Sequence, residues 1–223
     1  MNILPWRVRR VVSDNFPLVY HLTVNLFRRN SGADYWDQNL SEWWQHDVRR
    51  WPTKAKLISE RSALNADVLD IACGNGSIMK DLRTLGFTSL AGLEISKFAV
   101  QKLREEGFRM FQGELPMMPV PDAEFDVVVA SQVLEHIIRR DRFAKEIVRV
   151  MRPGAQGFIF VPHDCLGPID EPEHVIKYNR DSFRKFLEKH FDSVAVDVIK
   201  DANFPMEVLF GHVRKPQSAG PSR

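Results

Sequence analysis

The chain predicts an α/β fold with a Rossmann-like, doubly wound, seven-stranded and mostly parallel sheet, and three observations carry that prediction. From residue 67 onward, apolar strand-like runs alternate with amphipathic helical patterns. A glycine turn joins the first of those strands to the first of those helices, and a second strand ends in a carboxylate about twenty residues later. Such alternation implies helices on both faces of the sheet.

The first strand is expected over residues 67–71, where Val68, Leu69 and Ile71 surround Asp70. Ile78, Met79, Leu82 and Leu85 then recur at helical spacing, predicting a helix over 76–85. The same reading gives strand 88–94, helix 96–105, strand 108–112, strand 125–130, helix 139–151 and strand 157–162. Leu115 to Glu124 contains Pro116, Pro119 and Pro121, so it is a connection. Asp181 to His190 places Phe183, Phe186 and Leu187 on one helical face. Val194–Ile199 and Pro205–Val213 supply the last strands, which match the antiparallel hairpin closing the sheet of the family that the motifs below resemble. The Pro-, Ser- and Gly-rich tail over 216–223 is expected to be disordered.

Residues 1–65 are expected to form a helical cap or lid, and 66–215 the domain proper. Thr53 to Leu64 has a helical pattern. Tyr35 to Trp51 holds Trp36, Trp43, Trp44 and Trp51, a density that suits a covering element. Before it, Arg7, Arg9, Arg10, Arg28 and Arg29 flank an apolar stretch from Phe16 to Phe27. That stretch is too short for a bilayer span. It reads either as a cap over the cleft or as a basic segment lying on an anionic membrane surface.

With 223 residues and 44% apolar composition, the chain suits one sizeable core. A net charge of +2 gives no global field for nucleic acid. Cys73 and Cys165 are the two cysteines, which argues against a disulfide framework and for a reducing, cytoplasmic setting. No metal site is expected, because no paired Cys or His spacing is present. A Gly-x-Ser-x-Gly elbow and a phosphate loop are also missing.

The chemistry concentrates at the turn after the first strand. Gly74 and Gly76 allow unusual dihedrals and the close approach of a ligand at a helix N-terminus. Met79 stands where the dinucleotide fingerprint wants its third glycine, which argues against a pyrophosphate ligand. Glu94 is placed to accept hydrogen bonds from ribose hydroxyls.

Asp70 to Gly76, Glu94, Phe111-Gln112-Gly113-Glu114, Phe125 to Ser131, Val133-Leu134-Glu135-His136-Ile137 and Arg152-Pro153-Gly154 occur in the order of class I S-adenosylmethionine-dependent methyltransferases. The chain resembles that family across roughly residues 66–162, in its small-molecule branch that modifies quinones or saccharides. The resemblance implies S-adenosylmethionine as cofactor. Asp70, Ala72, Cys73, Gly74 and Gly76 would line the turn, Glu94 and Ile95 the ribose, and Gly113, Glu114 and Leu115 the adenine. Ser131 and Gln132 would border the sulfonium and the acceptor. The implied acceptor is a small molecule, plausibly lipid-linked, a quinone or a saccharide. His163 and His174 are candidate general bases, with His136 behind them. A nicotinamide-dependent oxidoreductase and a non-catalytic cofactor-binding protein are the alternatives.

Overall fold

The structure is a computed structural model that describes residues 5–25, 32–44, 50–200 and 206–215. Its sheet is organised by strands buried on both faces, because period-2 alternation sends neighbouring side chains into two different cores. In β1 (Asp67–Ile71), Leu69 and Ile71 point into one core while Val68 enters the other. The strands β2 (Ser89–Glu94), β3 (Arg109–Gln112), β4 (Phe125–Ser131), β5 (Met151–Pro162), β6 (Ser193–Lys200) and β7 (Glu207–Arg214) complete a seven-stranded sheet ordered β3-β2-β1-β4-β5-β7-β6. The pairs from β3 through β5 are parallel, and β7 runs antiparallel to both β5 and β6.

The helices divide between the two faces as binary patterning requires. α4 (Pro52–Ser59) and α5 (Ser77–Thr84) bury Ala55, Ile58, Ile78 and Leu82 on one face, with Val127, Phe158 and Phe160. α7 (Arg140–Val150) and α8 (Arg180–Leu187) bury Phe143, Ile147, Phe183 and Leu187 on the other. α6 (Lys97–Glu105) packs Val100 and Leu103 against Met79 and Met110. Ser96 caps α6 by accepting from the Ala99 N–H, and Asn179 closes a capping box with Ser182 ahead of α8.

Three expected boundaries shift for local reasons. The helix expected over 53–64 stops at Ser59, where the Glu60 N–H bonds back to the Lys56 carbonyl and the Arg61 N–H to the Ile58 carbonyl. The helix expected to reach His190 ends at Leu187. Arg152-Pro153-Gly154, which falls between the helix expected to 151 and the strand expected from 157, is a bulge inside one long strand: Phe125 pairs with Met151 and Val127 with Gln156, with Gly154 at φ 76°. Arg152 is held there by Asp67 and Asp126, both at 2.7 Å.

Ahead of the sheet lie α1 (Trp6–Asn15), α2 (Pro17–Asn25) and α3 (Ala33–Trp43). They dock on the loops beyond the strands' carboxyl ends. Arg10 meets Asp170 at 2.7 Å, His21 Nδ1 donates to the His174 carbonyl at 2.9 Å, and Asp37 accepts from Ser96 and from the Phe98 N–H. The expected tail at 216–223, Arg28, Arg29 and Pro205 lie outside the described residues.

Candidate active site

The turn after β1 is built from left-handed backbone. Ala72, Gly74 and Gly76 have φ of 53°, 54° and 72°, a region in which only glycine is free of strain. The two glycines then serve different ends. A Cβ at Gly76 would come within 2.6 Å of Leu103, whereas one at Gly74 would meet nothing within 4 Å. Gly76 therefore lets α5 and α6 pack, and Gly74 leaves open space above the turn.

That space is bordered by Glu94, a carboxylate only 5% exposed. Its Oε2 accepts from the Gly74 N–H at 2.9 Å, and its Oε1 from the N–H groups of Ile95 at 2.9 Å and Ser96 at 3.0 Å. Burial pushes the carboxyl's pKa up and those three donors, Ser96 first, oppose the rise. Oε2 keeps acceptor capacity toward the open side, which fits a ribose diol. The Gly113 N–H donates to the Glu94 carbonyl at 3.1 Å, and a Cβ at Gly113 would lie 2.5 Å from Pro119. Cys73 is buried beside Gly92, Glu114 is exposed, and Leu115 packs partly buried on the core.

A second group of charges sits at the carboxyl end of β4. Alternation puts Asp70 on the α4 face, where Lys54 is fully buried; its Nζ donates to Ser131 Oγ at 2.9 Å and lies 3.6 Å from the centre of the Trp51 ring. Burial pushes Asp70 up to about 8 despite the opposing Lys54. Gln132 follows at φ 56°, with its Nε2 buried and unpartnered. Then comes one 3₁₀ turn, Leu134–His136. Glu135 on that turn is 1% exposed, neither carboxylate oxygen has a hydrogen-bond partner, and burial pushes its pKa up to about 8.

The histidines separate into two settings. His163, partly exposed, is tied to β7 through Glu207, with Nδ1 to Oε2 at 3.0 Å. His174 is 6% exposed and joins His136, the ring centroids 4.6 Å apart and the planes near perpendicular. The Val175 N–H bonds to the Glu135 carbonyl at 2.8 Å, which fastens the loop carrying His174 to the turn carrying Glu135 and His136. Burial pushes His136 down to about 3 and lowers His174 as well. Lys54 and Glu135 carried no separate signal in sequence. Lys54 is one charge in a helical run, and Glu135 stood only as part of the Val133–Ile137 match.

The fold, the glycine turn and the strand-end carboxylate can be set beside known proteins. A methyltransferase-domain family matches residues 69–159, spanning β1 through most of β5. The glycine turn and Glu94 both fall within this segment, which is similar to methyltransferase domains. The chain is 28% identical over 153 residues to 27-O-demethylrifamycin SV methyltransferase of Amycolatopsis mediterranei, covering 63% of this chain and 56% of that protein. It is 32% identical over 144 residues to sterol 4-C-methyltransferase of Caenorhabditis elegans, covering 60% and 40%. Among solved structures, it resembles the Burkholderia thailandensis 1,6-didemethyltoxoflavin N1-methyltransferase bound to S-adenosylhomocysteine. The TM-score there is 0.64 at 14% identity, over 80% of this chain and 83% of that one. The chain spans about half the length of the curated relatives it matches.

Proposed function

We propose that this chain transfers the methyl group of S-adenosylmethionine to a small-molecule acceptor held between the end of β4 and the N-terminal helices. The observation that carries this reading is Glu94, buried and pinned by three backbone N–H groups, facing the open space above Gly74. Asp70, Ala72, Cys73, Gly74 and Gly76 would frame the methionine part. Glu94 and Ile95 would hold the ribose, with Gly113, Glu114 and Leu115 at the adenine and Ser131 and Gln132 at the sulfonium. When bound, the sulfonium supplies an activated methyl carbon whose sulfur leaves with the bonding pair. The chain's own part is to align the acceptor and exclude water.

His174 suits a general base better than His163. It is buried, its lowered pKa keeps it neutral, and it adjoins the turn after β4, whereas His163 is engaged by Glu207. Titrating S-adenosylmethionine into the wild type and Glu94→Ala tests the donor site. A screen for S-adenosylhomocysteine release tests the transfer.

The acceptor we favour is lipid-linked. The outer faces of α1 and α2 expose Trp6 (59%), Val11 (60%), Phe16 (62%) and Val19 (55%), with exposed Arg7 among them. A cluster of large apolar side chains beside positive charge suits an anionic lipid surface. No helix among the described residues is long and apolar enough to cross a membrane.

A further inference from the structure

We propose that Glu135, His136 and His174 form a binding site for a divalent transition-metal ion of the zinc class. One potential ligand atom from each residue lies within 4.8 Å of those of the other two. Three donors set tetrahedrally on one ion at about 2.1 Å lie about 3.4 Å apart, so a shift of about 1 Å or less in each side chain would close the site.

The chemistry of the three groups suits a cation. Glu135 is 1% exposed and both of its oxygens are unpartnered, a costly state for a carboxylate unless a proton or a cation joins it. Each histidine has Nδ1 against a backbone carbonyl, His136 on Glu173 at 3.3 Å and His174 on Leu166. A carbonyl only accepts, so Nδ1 carries the proton in both rings and the lone pair is on Nε2. Histidines that ligate metals show this arrangement, the second nitrogen donating to a carbonyl that fixes tautomer and ring orientation.

Two nitrogens and one carboxylate select against Mg²⁺ and Ca²⁺, which take oxygen ligands, and suit Zn²⁺, Fe²⁺ or Co²⁺ with open positions. Sequence spacing did not reveal the site, because Glu135 and His136 are adjacent while His174 arrives on a distant loop. Its position on the turn after β4 would put those open positions on the acceptor side. The metal reading stands whether or not S-adenosylmethionine binds, and with an ion on its Nε2 His174 is a ligand and no longer a free general base.

The test is Co²⁺ and Zn²⁺ titration of the chelator-treated, tag-free chain, followed by visible absorption and thermal melting. One equivalent of Co²⁺ should give ligand-field bands, and Zn²⁺ should raise the melting midpoint. Glu135→Gln and His174→Gln should each weaken metal binding at least tenfold while leaving S-adenosylmethionine affinity within twofold. Glu135→Gln is isosteric and removes a buried charge, so it keeps the fold testable. Absence of bands and of any melting shift in the wild type overturns the site, and so do bands that persist in both variants. A protonated Glu135 that needs no metal would show the first of those results.

Discussion

Glu94 and Glu135 are both buried carboxylates just beyond the sheet, one at the end of β2 and the other on the turn after β4, and their surroundings are opposite. Glu94 accepts three backbone N–H groups, all from segments folded locally around it. Neither oxygen of Glu135 has a hydrogen-bond partner, only its own backbone N–H and the charge of Lys54 oppose its burial, and a nitrogen of each of two imidazoles lies within 4.8 Å of it. Backbone donors preorganise one end of the cleft before a ligand arrives. The other end holds lone pairs that only a proton, a cation or an acceptor's donor group can satisfy.

The largest effect that separates the two ends is on stability against pH. Asp70 and Glu135 have folded pKa values near 8 against ordinary values of 3.8 and 4.5. The folded state then binds more protons than the unfolded state between about pH 4 and 8. Stability is fully present at the acid end and declines as pH rises through that window, by on the order of 5–6 kcal/mol per carboxyl at full titration. Urea midpoints of metal-free protein at pH 5 and pH 8.5 should show the loss, and Glu135→Gln should recover part of it at pH 8.5. An identical slope in that variant would mean Glu135 is solvated or partnered.

Next comes Glu94→Ala, expected to weaken S-adenosylmethionine binding tenfold or more, since charged hydrogen bonds contribute on the order of 1.5–3 kcal/mol. Calorimetric titration reads it directly. A folded variant with wild-type affinity would remove Glu94 from the donor site and dissolve the contrast with Glu135.

The two glycines sharpen the comparison within the preorganised end. Gly76→Ala combines left-handed strain with a 2.6 Å approach to Leu103, so it should lower stability by about 2–3 kcal/mol. Gly74→Ala meets no neighbour and should cost only about 1 kcal/mol of stability, while weakening cofactor binding more than Gly76→Ala does relative to that cost. Paired denaturation and binding curves check the inversion; equal ratios would show that Gly74 does not face the ligand.

The smallest effect concerns the acceptor's route. Replacing Trp6 and Phe16 with serine should reduce co-sedimentation with phosphatidylglycerol vesicles severalfold and leave melting nearly unchanged, since both side chains are exposed. Undiminished sedimentation would assign α1 and α2 to capping alone.

The sequence by itself determined the order of strands and helices, the glycine turn and the carboxylate that follows it. Each of these is a local pattern: period-2 or 3.6 apolar spacing, a residue type that tolerates positive φ, an acid at a strand end. The aromatic density of Tyr35 to Trp51 suggested a covering element, and within that segment α3 ties Asp37 to the start of α6. The long β5 bulge escaped it, because Pro153-Gly154 reads as a turn unless the pairing with β4 is known. Only the tertiary structure decided that Lys54 would be buried beside Asp70 and Ser131, and that His174 would come to rest on the turn that carries Glu135 and His136. Burial, pKa and lone-pair direction depend on which distant segments close around a group, and residue spacing along the chain carries no information about that closure.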